Sequence, residues 1–329
     1  MTRQTLDLFP IGNCSINALI DRRGRFVWAC APRVDGDPVF SALMDGDDPQ
    51  HGFWSIELEG LKQVSQAYVR NTPVLRTVLT SEDGAAVEIL DFAPRHPKQG
   101  RVYRPLAFGR IVRPIEGAPR ITVRLRPAAG WGARRAETTH GSNHIRYLCS
   151  DVALRLTTDC PVSHVTDERT FRLERAMAFF LGPDEGYDQA VGPGVQAALD
   201  QTVAYWKDWV RTLYLPLDWQ EAVIRAAITL KLCAYEETGA IVAAMTTSVP
   251  EFPESGRNWD YRYCWIRDAY YTVRALNRLG AVDILENYLG YLRNLVDQSG
   301  GGHVQPVYGV GLEEDIDERI TETVAGYRG

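Results

Sequence analysis

The sequence predicts a chain in two parts, an N-terminal antiparallel β-sandwich followed by a helical region. Apolar and polar residues alternate through much of residues 1–185, and a period of two is typical of strands with one buried face. Beyond residue 185 the apolar residues recur at spacings of three and four, the period of an amphipathic helix. A stretch rich in glycine and proline, 182–194, lies where the period changes. We therefore place a β domain at 1–185, a linker helix region at 186–215 and a helical domain at 216–329.

Three segments of the β domain show the strand pattern clearly, namely 54–58, 121–126 and 152–157. A charged turn at 21–25, followed by an apolar run from Phe26, predicts an early hairpin. Many short alternating strands separated by turns are typical of an antiparallel sandwich. The turn signals are Asp83-Gly84, Glu116-Gly117 and Gly141-Ser142-Asn143.

Four helices are predicted after the β domain, and a fifth is expected near residues 313–325. Gly280 separates the third helix from the fourth, where a C-terminal glycine cap belongs, and a glycine-rich loop at 299–302 follows the fourth. The predicted apolar faces are Leu199, Val203, Trp206, Val210 and Leu213; then Trp219, Val223, Ala226, Leu230 and Cys233; then Tyr270, Val273 and Leu276 or Asn277; then Leu285, Tyr288, Leu289, Leu292 and Leu295.

Composition excludes several classes of protein. The formal net charge of −6 does not indicate a nucleic-acid partner, and no apolar run is long enough to span a membrane. The first residues lack the apolar segment of a signal peptide. The six cysteines form no C-x-x-C pair and do not share metal-ligand spacing with the histidines. We therefore expect reduced thiols in a cytoplasmic protein, with no metal site and no cofactor.

The most unusual stretch is residues 257–268, which holds four aromatic residues, three arginines and two aspartates. It follows an extended segment at 238–248 and two prolines, and it runs into the N-terminus of the third predicted helix. Rings beside fixed Arg and Asp side chains suit a polar ligand with flat apolar faces, such as a sugar. A structural interpretation also remains open. The rings of Tyr261, Tyr263 and Trp265 alternate, so they are equally suited to face a core with Arg262 and Arg267 lying over them.

Residues 256–269, Gly-Arg-Asn-Trp-Asp-Tyr-Arg-Tyr-Cys-Trp-Ile-Arg-Asp-Ala, resemble the signature of glycoside hydrolase family 15. This family comprises glucoamylases, glucodextranases and bacterial trehalases. Residues 11–14, 18–21 and 32–35 resemble the trehalase-like N-terminal β domain of bacterial members, and the stretches before and after the signature are similar to further family segments. The resemblance spans the whole chain. It implies an inverting, exo-acting α-glucoside hydrolase whose catalytic domain is an (α/α)6 barrel, of which this chain holds the first part.

The resemblance also assigns roles to four residues. It implies that Arg267 and Asp268 bind hydroxyls of the glucose at the non-reducing end, which suits charge-assisted hydrogen bonds. It implies that Tyr261 stacks near the same sugar and that Trp265 lines the same subsite. For Asp260 and Arg262 we expect support of the loop.

The catalytic residues of the family are two glutamates that lie well downstream of the signature. We find no match for either in this sequence, so we predict no catalytic residue here and no activity for this chain alone. The acidic run 313–318 is expected to be a solvated helix face. The family gives Glu251 and Glu254 no catalytic role. Asp260 with Asp268 is the remaining pair, but an Asp268 that binds sugar together with Arg267 stays ionised and is a poor acid.

Three hypotheses remain open. The first is a portion of a hydrolase that acts on trehalose or α-glucans, so that its partner is a glucose-containing disaccharide or oligosaccharide. The second is a non-catalytic carbohydrate-binding or interaction protein derived from the family. The third is a half-barrel completed by a second copy or by another chain. An incomplete ring would leave apolar residues such as Leu230, Tyr288 and Leu292 uncovered.

Overall fold

The computed structural model describes residues 5–46, 48–247, 256 and 259–327. Strands dominate its first part and helices follow after residue 190. The strands are β1 Phe9–Gly12, β2 Asn17–Ile20, β3 Phe26–Cys30, β4 Pro38–Phe40, β5 Phe53–Leu58, β6 Leu61–Tyr68, β7 Leu75–Ser81, β8 Ala86–Phe92, β9 His96–Lys98, β10 Arg101–Tyr103, β11 Phe108–Glu116, β12 Arg120–Arg126, β13 Ala128–Ala129, β14 Arg134–Arg135, β15 Glu137–His140, β16 His144–Leu148, β17 Ala153–Thr158, β18 Phe171–Arg172, β19 Met177–Pro183, β20 Ala234–Tyr235, β21 Ala240–Ile241, β22 Cys264–Trp265 and β23 Val307–Tyr308. The helices are α1 Val162–Thr166, α2 Val191–Arg211, α3 Gln220–Leu232, α4 Ile266–Arg278 and α5 Val282–Gln298, with a 3-10 turn at Ala42–Met44.

Two large antiparallel sheets account for most of the strands. A seven-stranded sheet has the order β1-β2-β3-β5-β12-β18, with β4 paired to β3. An eight-stranded sheet has the order β15-β16-β17-β19-β11-β8-β7-β6. The segments predicted at 54–58, 121–126 and 152–157 lie in β5, β12 and β17, and the early hairpin is β2-β3. The prediction of an antiparallel, β-rich N-terminal part is confirmed.

The two sheets share one apolar core. Phe26 of β3 meets Phe108 of β11 with ring centroids 5.3 Å apart, and Trp54 of β5 meets Phe179 of β19 at 6.3 Å. The edge-on geometry of both pairs is the one that aromatic quadrupoles favour. Alternating residues of facing strands therefore form this core, as the period of two predicts.

The helices pack on a second core that includes the outer side of β2 and β3. The indole N–H of Trp28 donates to the carbonyl of Met245 over 2.9 Å, which ties β3 to the segment before the aromatic motif. Tyr288 is buried, so the expectation that an incomplete ring exposes it is wrong; Leu230 and Leu292 are half-buried against this core. The extended hairpin β20-β21 and the loop around Met245 supply part of the cover.

Helices α2 to α5 coincide with the four predicted helices, but the predicted face of α3 is wrong. Trp219 is 83% exposed and precedes the helix in a left-handed conformation, with φ of 61°, and Ala226 is exposed. The buried side is formed by Ile224, Ala227 and Ile228. These residues also fit the helical period. A short helix with two overlapping apolar faces takes its orientation from tertiary packing, which sequence spacing does not record.

No helix forms among the described residues of the segment 313–325, so the expected fifth helix is wrong. The segment starts with a turn in which the Gly309 amide donates to the Glu313 carbonyl and the Gly311 amide donates to the Glu313 carboxylate, each over 2.9 Å. The carboxylate also pairs with Arg33 at 2.7 Å. Closely spaced like charges disfavour a helix. The fixed turn and the acidic run thus explain why this segment does not form a helix.

Candidate functional site

The aromatic motif lies in an extended segment that leads into α4. The amides of Ala243 and Ala244 donate to the carbonyls of Tyr263 and Tyr261, each over 3.0 Å. On the other side, β22 pairs with β23. The motif is therefore held on both sides by backbone hydrogen bonds. Its first residues, Arg257 and Asn258, lie outside the described part of the chain, as do Glu251 and Glu254.

The side chains of this segment alternate between the interior and the surface. Arg262 and Cys264 point inward and are 2% and 0% exposed, whereas Tyr261 is 40% exposed and Trp265 is half-buried. Tyr261 meets Trp265 edge-on, with centroids 5.8 Å apart and planes at 85°. Tyr263 meets the same indole at 6.1 Å. The structural interpretation placed the rings in the core and Arg262 at the surface, and it is therefore wrong for Arg262.

Arg267 and Asp268 occupy the first turn of α4, directly after Trp265. The guanidinium reaches the Asp268 carboxylate over 3.1 and 3.2 Å. The side chains are 78% and 40% exposed, so both keep hydrogen-bonding capacity for a ligand. Asp268 is the acidic residue in the first turn of α4, a position that suits an acidic side chain because the helix N-terminus carries partial positive charge. The structure thus places the predicted polar pair at the start of the helix that follows the ring segment.

Arg262 is a buried anchor of the motif. Its guanidinium grips Asp260 through two nitrogens, with Nε 3.0 Å from Oδ1 and Nη2 2.7 Å from Oδ2. Its third nitrogen, Nη1, lies 3.2 Å from the sulfur of Cys30, and the Trp131 ring centroid is 4.9 Å from the guanidinium carbon. Cys30 and Trp131 are distant in sequence, and no local pattern marks them as partners of the motif. These contacts support the loop, as expected for Asp260 and Arg262.

The carboxylates near the motif are paired with arginines. Partial burial acts to raise the pKa of Glu313, but hydrogen bonding from Arg33 and from backbone amides holds that pKa below its usual value. The pKa of the Cys264 thiol is raised to about 11, mainly by burial. Among the described residues, no cluster of histidine, cysteine, aspartate and glutamate could hold a metal ion. The arrangement suits binding of a neutral polar ligand more than proton transfer.

Residues 218–314, which include the whole described motif, match the family model of glycosyl hydrolases family 15. Residues 5–179 match the model of the trehalase-like N-terminal domain and make up more than half of the chain. The chain belongs to the trehalase-like N-terminal domain family. The family 15 match begins at the segment that leads into α3, and it contains the rings, the Arg267–Asp268 pair and the buried Arg262.

Curated relatives point to the same family. The chain is 29% identical to Trehalase 1 of Sulfolobus acidocaldarius, over 96% of this chain and 53% of the relative. It is 28% identical to a trehalase of Mycolicibacterium smegmatis, over 96% of this chain and 51% of the relative. The chain therefore spans about half the length of the curated relatives it matches.

Neither the cysteines nor the helix lengths point to a ligand. All six cysteines are free thiols, and four of them are buried. No helix in the described ranges is long and apolar enough to cross a membrane.

Proposed function

We propose that this chain carries the glucose-binding subsite of an inverting, exo-acting α-glucoside hydrolase whose substrate is trehalose or a short α-glucan. The observation that carries the proposal is the exposed Arg267–Asp268 pair in the first turn of α4, which follows the Tyr261–Trp265 ring pair after one intervening residue. The family 15 match and the relatives named trehalase support the substrate class.

The chemistry of these four side chains complements a pyranose. A guanidinium donates and a carboxylate accepts, so together they match neighbouring hydroxyl groups with charge-assisted hydrogen bonds. The half-exposed rings offer apolar surface to the C–H face of the sugar. We assign hydroxyl binding to Arg267 and Asp268, and the walls of the subsite to Tyr261 and Trp265.

We further propose that the helices after residue 215 are the first part of an (α/α)6 barrel, with the β domain at 1–185 and the linker helix region at 186–215. An exposed apolar patch before α3 favours an additional element that covers it. Tyr214, Leu217 and Trp219 in this patch are 77%, 95% and 83% exposed. A half-barrel completed by further helices or by a second chain is the alternative that this patch supports.

The catalytic acid and base are, in our proposal, absent from this chain. An inverting glycosidase needs two carboxyl groups about 6.5–9.5 Å apart with separate acid and base roles. Asp260, Asp268 and Glu313 each pair with an arginine, at 2.7, 3.1 and 2.7 Å. We therefore assign these carboxylates to ion pairs and not to the acid and base roles. The chain alone would then bind sugar without cleaving it.

The test is an NMR assay of the purified 329-residue chain with trehalose and with maltose. We expect no released glucose, because the proposal assigns neither catalytic carboxyl group to this chain. Release of β-glucose would contradict the assignment of an inactive chain. A light-scattering measurement of molecular mass in the same buffer separates the half-barrel alternative, since a stable monomer does not support a paired half-barrel.

A further inference from the structure

We propose that the N-terminal β region positions the candidate subsite through Arg262, a positioning residue that locks the motif loop onto β3 and the β13-β14 hairpin. The inference goes beyond the roles assigned above, because it makes residues of the trehalase-like domain responsible for the orientation of Tyr261 and Trp265. The glucose-binding test of this inference rests on the proposed function, whereas the hydrogen-exchange test does not.

The β region surrounds the guanidinium from several directions. The Cys30 sulfur at the end of β3 accepts from Nη1 over 3.2 Å, and the Gly36 carbonyl accepts from the same nitrogen. The rings of Trp28 and Trp131 lie 5.8 and 4.9 Å from the guanidinium carbon. Among the partners in the described residues, Asp260, the bidentate carboxylate, is the one from the motif loop itself. Arg262 is thus a bridge between the loop and the β region.

The position of Trp131 beside the guanidinium is itself fixed by other contacts. Trp131 is at the tip of the β13-β14 hairpin in a left-handed conformation, with φ of 53°, and its ring also meets Trp28 edge-on at 6.5 Å. The carbonyl of Trp131 accepts a hydrogen bond from Thr323, and the amide of Gly326 donates to Met44 over 2.9 Å. The segment near the end of the described chain therefore holds the hairpin in place over the guanidinium.

The contacts of Arg262 with the β region, which we call the clamp, determine which way the rings face. In an extended segment neighbouring side chains point to opposite sides, so an inward Arg262 turns Tyr261 and Tyr263 outward. Arg262 is 2% exposed, and a buried charge without its partners is costly. Any rotation of the loop that turns the rings inward must break the Cys30 and Gly36 contacts together. The outward orientation of the subsite rings is therefore a consequence of the clamp.

The test compares amide hydrogen exchange in the full chain and in the Arg262→Met variant, which keeps apolar bulk but removes the charge and its donors. The probes are the amides of Ala243 and Ala244, whose hydrogen bonds to the Tyr263 and Tyr261 carbonyls report directly on the motif. We expect their exchange to accelerate at least about tenfold, because a segment that loses its anchors opens locally. Exchange in β8 and β11, the centre of the eight-stranded sheet, should not change.

Two further variants keep the test decisive. Trp131→Ala removes the covering ring without leaving a buried charge unpaired, so it carries the test if Arg262→Met fails to fold. Arg120→Met is the matched control, because Arg120 pairs with Glu59 at the surface and lies away from the motif. Unchanged exchange at Ala243 and Ala244 in both Arg262→Met and Trp131→Ala would overturn the inference. Acceleration spread equally over β8 and β11 would also overturn it, since that result indicates global destabilisation.

Glucose titration of the same variants separates this inference from the proposed function. If the unmodified chain binds glucose, Arg262→Met should weaken binding at least about tenfold while Arg120→Met leaves it unchanged; the loss is expected because misplaced rings forfeit their contacts with the sugar. Equal affinity in Arg262→Met and the unmodified chain would contradict the positioning role. If the unmodified chain binds no glucose, the proposed function fails, and the exchange data still decide whether Arg262 holds the loop.

Discussion

Replacing Arg110 with methionine is expected to lower the free energy of unfolding by about 3–5 kcal/mol, the range found when one partner of a buried ion pair is removed. The side chains of Arg110 and Asp91 are fully buried in the β core and meet at 2.6 Å. Arg110 also donates to the carbonyls of Trp54 and Gly24. Without the guanidinium, Asp91 keeps a carboxylate with no compensating charge. Chemical unfolding followed by circular dichroism measures the loss.

The physical reason can be isolated with two more variants. Burial already raises the pKa of the Asp91 carboxyl, and the charge of Arg110 opposes that rise. The double variant Asp91→Leu/Arg110→Met removes both charges and should regain part of the lost stability. The exposed pair Arg120–Glu59 gives the matched control, since Arg120→Met should cost about 1 kcal/mol or less. A cost for Arg110→Met no larger than for Arg120→Met would contradict the account.

Glu236→Gln is expected to have an effect of similar size, about 3–5 kcal/mol, because one carboxylate serves several buried cations. Both Glu236 oxygens bind Arg95, at 2.7 and 2.9 Å, and Lys231 lies 3.5 Å away. Arg95 and Lys231 are almost fully buried. Arg95 also donates to the Asn13 carbonyl and the Tyr205 hydroxyl. The neutral amide therefore leaves excess positive charge where the β region meets α2 and α3.

The neighbouring residue supplies the control for this prediction. Glu237 is 53% exposed and its carboxylate is 3.7 Å from Arg104, so Glu237→Gln should change the stability by no more than about 1 kcal/mol. Thermal unfolding of both variants against the unmodified chain gives the comparison. If the two glutamines have the same small effect, the buried network does not stabilise the contact between the β region and the helices.

Local periodicity predicted helices α2 to α5 and a few of the strands. The alternating segments at 54–58 and 121–126 became β5 and β12, because a period of two leaves one choice of buried face. Periodicity did not predict the buried face of helix α3. Its two overlapping apolar faces both satisfy the helical period, and packing selected Ile224 and Ile228 instead of the face that includes Ala226. The helix expected at 313–325 does not form for a related reason, since a contact between Glu313 and the distant Arg33 fixes the first turn of this segment.

The candidate site, too, could be predicted from the sequence only in part. Sequence located Tyr261, Trp265, Arg267 and Asp268 because they lie within one short motif, and their roles in sugar binding stay a prediction. The orientation of the motif could not be predicted from the sequence, since it depends on Arg262 reaching the sulfur of Cys30, which is distant in the chain. Composition alone left open whether the rings or the arginine face the interior. The buried guanidinium, matched by Asp260, decides between them.

Glucose titration followed by ligand-observed NMR tests whether Arg267 and Asp268 hold a glucose unit. Hydrogen bonds to charged groups contribute about 1.5–3 kcal/mol each, so Arg267→Ala and Asp268→Asn should each weaken binding roughly tenfold to a hundredfold. Arg274→Ala, an exposed arginine further along α4, should bind like the unmodified chain. Equal glucose affinity in all four proteins, or no binding by the unmodified chain, would contradict the account.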